Sequence, residues 1–252
     1  MKGCYKTWVK TVFFSGWGIL VLWNFFRSFS FVNLMEILLN GAMLLILLLF
    51  FTALGRRGFC STNISFASFA EECCFSFGLG TAISIFLIIG LAALGLLYKL
   101  LIILLVLGLF LLVYREARDI CIRGYQAFLA AFSQKKPFIN IVFLLFIGFA
   151  ALVTFLAAAT PPYFYDALVY HLAVPQKYLL HHGFRYFPRH HFSNYSLNLS
   201  MLFTVAMSFS GGMLAKLISW SFAPMTALAV YAFVTSRWGS QMAMTSATIL
   251  FL

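Results

Sequence analysis

Runs of about twenty apolar residues recur along this chain, at residues 34–54, 79–98, 138–159 and 212–234. A helix of that length crosses the hydrocarbon of a bilayer while satisfying its own backbone polar groups, where no water can do so. The strands of a membrane barrel would instead alternate apolar and polar residues. Composition agrees with the runs: 63% of the 252 residues are hydrophobic, 9% are charged and the mean hydropathy is +0.98. A soluble domain is about 25% charged. Soluble globular, disordered and disulfide-rich secreted chains are excluded. The expected fold is all-α, a polytopic transmembrane bundle of about 6–7 spans, with an external loop carrying amphipathic juxtamembrane helices.

The remaining spans follow from the shorter runs. Residues 79–114 are interrupted only by Lys99 and read as two spans, 79–98 and 100–114, joined by a tight turn. Residues 11–31 cross if Arg27 snorkels to the interface. A last run, 241–252, starts another span and ends with no polar tail, so the chain is expected to be the N-terminal part of a longer protein. Residues 61–77, with Glu71 and Glu72, read as an interfacial helix or a loop, and 115–136 as an amphipathic cytoplasmic linker. Two parts result. Residues 1–137 form N-terminal transmembrane helices with the linker, and 138–252 hold a span, the loop 160–211, a second span and the start of a third.

The formal net charge is +11, from 17 Lys and Arg against 6 Asp and Glu. The positive charges sit beside the spans, at Lys2, Lys6, Lys10, Arg56, Arg57, Arg115, Arg118, Arg123, Lys135 and Lys136. That is the pattern of cytoplasmic loops, with a weak attraction to anionic lipid, and not of a nucleic-acid surface. With these groups inside, Lys99 and the loop after Ala159 lie outside, and 197–209 lies at the interface without spanning. The five cysteines lack metal-ligand spacing and read as small apolar fillers. Residues 1–26 have no small-residue cleavage site and read as a retained segment.

Chemistry concentrates in residues 160–198. All five His lie between His171 and His191, and Asp166 is the only acidic residue after Asp119. Thr160 is expected to cap a helix with Pro161 and Pro162 in its first turn, ending near Val174 before Pro175. A second short helix, 175–182, would stop at Gly183. At helical spacing Asp166 and Tyr170 share a face. A carboxylate there can act as a general base on a hydroxyl or amine, or bind a divalent cation (Mg or Mn) that carries phosphates. Lys177, Arg185 and Arg189 can pair with a phosphate. Plainer readings stand beside these. Asp166 suits the dipole at a helix start, the paired His181/His182 and His190/His191 suit solvent, and the cations suit lipid headgroups. Asn-x-Ser triplets stand at Asn63, Asn194 and Asn198.

The stretch PPYFYDALVYHLAVPQKYL, residues 161–179, resembles bacterial polytopic glycosyltransferases of the GT-C superfamily, a group related to protein O-mannosyltransferases and the lipid A aminoarabinose transferase. The stretch GGMLAKLISWSFAPMTALAVYAFVTSRWG, residues 211–239, is similar to the same family's loop glycine, Ala-Lys pair, span and basic turn. The resemblance covers about residues 154–252. It implies an inverting transferase of the cell membrane whose donor is a sugar on a polyprenyl phosphate and whose acceptor is a glycan, lipid or protein. Asp166 would be the base or metal-associated carboxylate, with Tyr165, Tyr170 and His171 beside it. Lys177 and Arg185 would meet the donor. Where the family pattern has a Pro and then a Glu, this chain has Ser196 and Ser200. Two other classes compete. One is a non-catalytic or degenerate membrane subunit. The other is a transporter, which needs ionisable residues inside its spans, and the nearest here, Glu36 and Lys99, stand at span ends.

Overall fold

The long apolar runs fold as helices in the computed structural model of the protein, which describes residues 16, 31–60, 62, 64–133, 138–162, 164–188 and 198–250. The expected first span at 11–31, and Lys135, Lys136, Arg189, His190, His191, Asn63, Asn194 and Ser196, lie outside the described residues. The chain divides into two compact units, Met1–Leu39 and Asn40–Leu252. The described part of the first is Gly16 and the opening turns of one helix.

Among the described residues the regular structure is entirely helical. In chain order it comprises α1 (Phe31–Phe59), α2 (Phe69–Ala93), α3 (Lys99–Leu112), α4 (Tyr114–Ser133) and α5 (Phe138–Ala158). A π-helical turn (Ala167–His171), α6 (Ala173–Leu180), α7 (Asn198–Phe209), α8 (Gly212–Trp238) and α9 (Ser240–Ile249) follow. Four of these, α1, α2, α5 and α8, are long and apolar enough to cross a membrane, or five if the bent pair α3–α4 counts as one span. The chain is therefore a membrane-embedded helical protein.

Helix α2 begins earlier than its apolar run. Ser68 caps it by accepting from the Glu71 amide at 3.1 Å, while the Glu71 carboxylate accepts from the Ala67 amide at 2.7 Å. This reciprocal box satisfies the Glu71 amide, which a helix start leaves open, and the Ala67 amide just before the helix. The second half of 61–77, expected at an interface or in a loop, is thus the first turns of a spanning helix. Gly95, at φ 71°, ends the reversal after α2, where a side chain would be strained.

Helix α3, by contrast, is short. Its 14 residues rise about 21 Å, less than the roughly 30 Å of a bilayer core. The chain then bends by 67° into α4. Arg115, Glu116, Arg118 and Asp119 make a straight continuation into hydrocarbon too costly. Residues 100–114 pass the length and hydropathy test for a span only together with α4, and the amphipathic reading of 115–136 agrees with α4.

Small residues set the closest helix contact. Ser76, Gly80 and Ser84, four apart on α2, are buried. Where α1 crosses, a Cβ on Gly55 would lie 1.8 Å from the Ser76 carbonyl oxygen. Close backbone approach through small residues is the usual way helices pack in lipid. Phe51 of α1 and Phe77 of α2 meet edge-on at 6.4 Å beside it. Helix α7 is buried from Ser200 to Ala206 and packs against α2, α3, α6 and α8. Its polar Ser200, Thr204 and Ser208 are all inside the bundle, and its 12 residues are too few to count as a span, as expected.

At one end of the bundle, ion pairs join α1, α2 and α4. Arg56 pairs with Glu72 at 3.0 Å and with Asp119 at 2.5 Å. Arg57 meets Glu116 at 2.9 Å, and Arg123 meets Glu72 at 2.6 Å. Of the basic groups expected on one side of the membrane, Arg56, Arg57 and Arg123 share this end. Lys99 and the described part of the loop after Ala159 lie at the opposite end, where α2 finishes.

Candidate functional site

The loop docks on the end of α2 through its backbone. The Leu97 amide donates to the His182 carbonyl at 2.9 Å, and the Phe184 amide donates to the Ala92 carbonyl at 3.2 Å. Gly183 sits between them, and a Cβ there would stand 2.8 Å from the Ala92 oxygen. His182 carries the left-handed turn, φ 59°, and its ring stacks on Tyr98 at 3.9 Å. The second loop helix does stop where expected, but Gly183 is needed for close approach, and the turn itself falls on His182.

The first loop helix starts later than expected. Thr160 does not cap it: its hydroxyl donates to the Ala157 carbonyl at 2.7 Å and closes the end of α5. Helical structure begins at Tyr165. Pro175 does not break it either. It lies in the first turn of α6, where a missing amide costs nothing. The interruption comes before it, in the π-helical turn, closed by the Leu172 amide donating to the Ala167 carbonyl at 3.0 Å. Such wide turns relieve a helix that a proline would otherwise clash with.

Asp166 and Tyr170 do share a face. The Tyr170 phenol is held above its ordinary range, first by loss of solvent and then by the charge and hydrogen bond of the Asp166 carboxylate. The hydroxyl therefore stays protonated and donates to Asp166. The Tyr170 ring meets that of His171 at 4.2 Å. His171 Nδ1 is 3.5 Å from Oγ of the buried Ser200, on α7, and its ring faces Phe203 edge-on at 6.5 Å. Ser200 thus lies behind the imidazole. Tyr165 is 72% exposed at the helix start.

Lys177 and Arg185 belong to a different group. The Lys177 ammonium lies 5.0 Å over the Phe187 ring, and Arg185 Nη1 is 3.3 Å from His181 Nδ1. Tyr178 packs beside them against Phe184 and Phe187. The six residues singled out in the sequence are therefore not one constellation. Asp166, Tyr170 and His171 come together; Lys177 and Arg185 stand on an aromatic ledge with His181.

A cavity of about 390 Å³ opens between the loop helices and the bundle. Leu168, Leu172, Leu179, Leu180, Met207 and Pro162 give it apolar walls. Lys99 is the charged residue of its lining, with Gln176 and Ser210 as polar partners. One ammonium against apolar walls suits an amphiphile with an anionic head. The sequence did mark Lys99, as the lone charge within 36 apolar positions 79–114, but its role at a cavity needed the fold.

Among the described residues no three His, Cys, Asp or Glu side chains gather as metal ligands. No family model, curated protein or solved structure matches the chain.

Proposed function

We propose that this chain carries part or all of a membrane glycosyltransferase that moves a sugar from a polyprenyl-phosphate donor to a hydroxyl acceptor. The reading rests on the resemblance of residues 161–179 and 211–239. The observation that carries it is one arrangement: the Asp166–Tyr170 pair stands at the same end of the bundle as a lipid-sized cavity with Lys99 in its lining.

In this reading Asp166 takes the proton of the acceptor hydroxyl. The acceptor oxygen forms a bond to the anomeric carbon as the bond from that carbon to the phosphate oxygen breaks. The electron pair leaves with the polyprenyl phosphate, and inversion follows from attack opposite the leaving group. Tyr170 orients the carboxylate, and His171, braced by Ser200, borders the sugar. Lys99, an exposed residue of the cavity lining, offsets the charge that grows on the phosphate. Tyr165, Lys177 and Arg185 flank the entrance, and the loop faces outward from the cell membrane.

The test is sugar transfer by the full chain in proteoliposomes supplied with radiolabelled polyprenyl-phosphate sugars. Asp166→Asn should lower transfer by about 10²–10⁴-fold, the usual worth of a general base. Equal rates in both would overturn the assignment. Photoreactive polyprenyl phosphate that labels the wild type without any transfer would instead favour a non-catalytic subunit.

A further inference from the structure

Helix α4 turns its charges in two directions. Its carboxylates, Glu116 and Asp119, face the bundle and pair with Arg57 and Arg56 of α1. Arg123 faces the same way, onto Glu72 and the Phe69 ring. Arg115 and Arg118 are exposed and, among the described residues, form no ion pair. At about 100° per residue, Tyr114, Arg118, Ile122, Tyr125 and Leu129 fall in one arc of about 80°, with Arg115 at its edge. All of them are exposed, Tyr125 by 65%. The outer face is thus aromatic, aliphatic and purely cationic.

Water is a poor partner for such a face. A transmembrane neighbour is equally poor, because the helix carries five charges in its first ten residues. Its 67° bend away from α3 turns it off the line of that helix. Tyrosine and arginine beside aliphatic residues are the composition of helices lying in the headgroup layer. Two unpaired guanidinium groups with no acid among them select its charge.

We propose that α4 is an in-plane anchor that binds anionic phospholipid headgroups through Arg115 and Arg118, while Tyr114, Ile122, Tyr125 and Leu129 enter the boundary with the acyl chains. The inner ion pairs hold the helix at the membrane level set by α1 and α2. This anchor is independent of the transferase reading.

Cys121 lies on the exposed side of the helix and supplies a probe position. The full chain, with its other four cysteines replaced by Ala, is spin-labelled at Cys121 and placed in phosphatidylcholine vesicles with and without phosphatidylglycerol. The label should relax more with oxygen than with a water-soluble nickel chelate. In the unlabelled wild type, spin-labelled phosphatidylglycerol should be held at the protein surface in preference to phosphatidylcholine. That preference should fall roughly fivefold for each arginine removed in R115Q and R118Q. A label as open to the nickel chelate as an aqueous site would overturn the proposal. So would equal retention of both lipids by the wild type, or dipolar broadening between labels showing that a second copy covers the face.

Discussion

The Lys216 ammonium donates to the Thr160 carbonyl at 2.7 Å, so α8 holds the last turn of α5. It also reaches the Thr160 hydroxyl at 3.2 Å and the Ala157 carbonyl at 3.3 Å. A cation at these carbonyls satisfies acceptors that the helix end leaves open and complements its dipole. Because the loop leaves from Thr160, the same contact sets where the loop begins. Lys216→Met should cost about 1–3 kcal/mol and speed hydrogen exchange in residues 157–162. Unchanged exchange there would show that Lys216 does not hold the turn.

Two glycines of α2 make a matched pair. A Cβ on Gly80 would stand 1.7 Å from the Phe51 carbonyl oxygen, whereas one on Gly78 meets nothing within 4 Å. Gly80→Leu should force α1 and α2 apart and abolish a monodisperse protein in detergent. Gly78→Ala should be neutral, or stabilise by up to about 1 kcal/mol through helix propensity. Thermal unfolding followed by size-exclusion chromatography separates the two outcomes.

Glu72 bridges Arg56 and Arg123 while remaining largely buried. Glu72→Gln removes one of the two anions that Arg56 and Arg123 share and leaves Asp119 alone between the guanidinium groups. A loss of roughly 1–3 kcal/mol is expected, read as a lower unfolding temperature. High salt should narrow the gap between wild type and variant, because screening weakens the repulsion left behind.

The Asp166 charge opposes ionisation of Tyr170. Asp166→Asn should therefore let the phenol ionise at lower pH than in the wild type. A spectrophotometric titration read as the difference from Tyr170→Phe isolates this one tyrosine. Identical curves for wild type and Asp166→Asn would separate the two side chains.

The spans were legible because hydrocarbon imposes length and composition together. Helix α2 shows the limit: its apolar run was plain, but its true start depends on the Ser68–Glu71 box, a short signal that was present and passed over. Helix α7 shows another. Its place came only from the sidedness of the basic groups, whereas its burial rests on Thr204 and Ser208 donating to backbone carbonyls within the helix. In the loop, the pairing of Asp166 with Tyr170 followed from local spacing. Lys99 lies 67 positions before Asp166 in the chain, and only the packing of α3 and α7 beneath the loop brings its end to the cavity.

The wide turn before Pro175 acts as a phase shifter. Asp166 and Lys177 are eleven positions apart, close to three full turns of a regular α-helix, so an unbroken helix would point them the same way. The π-helical turn holds one residue more than an α-helical turn and rotates everything after it by about 100°. The carboxylate and the ammonium are thereby sent to different sides, Lys177 to its ledge with Phe187 and Asp166 to Tyr170. Deleting one residue within Ala167–His171 would leave the two charges ten positions apart, about 80° from alignment in a regular α-helix, so the shortened helix would keep them on different sides.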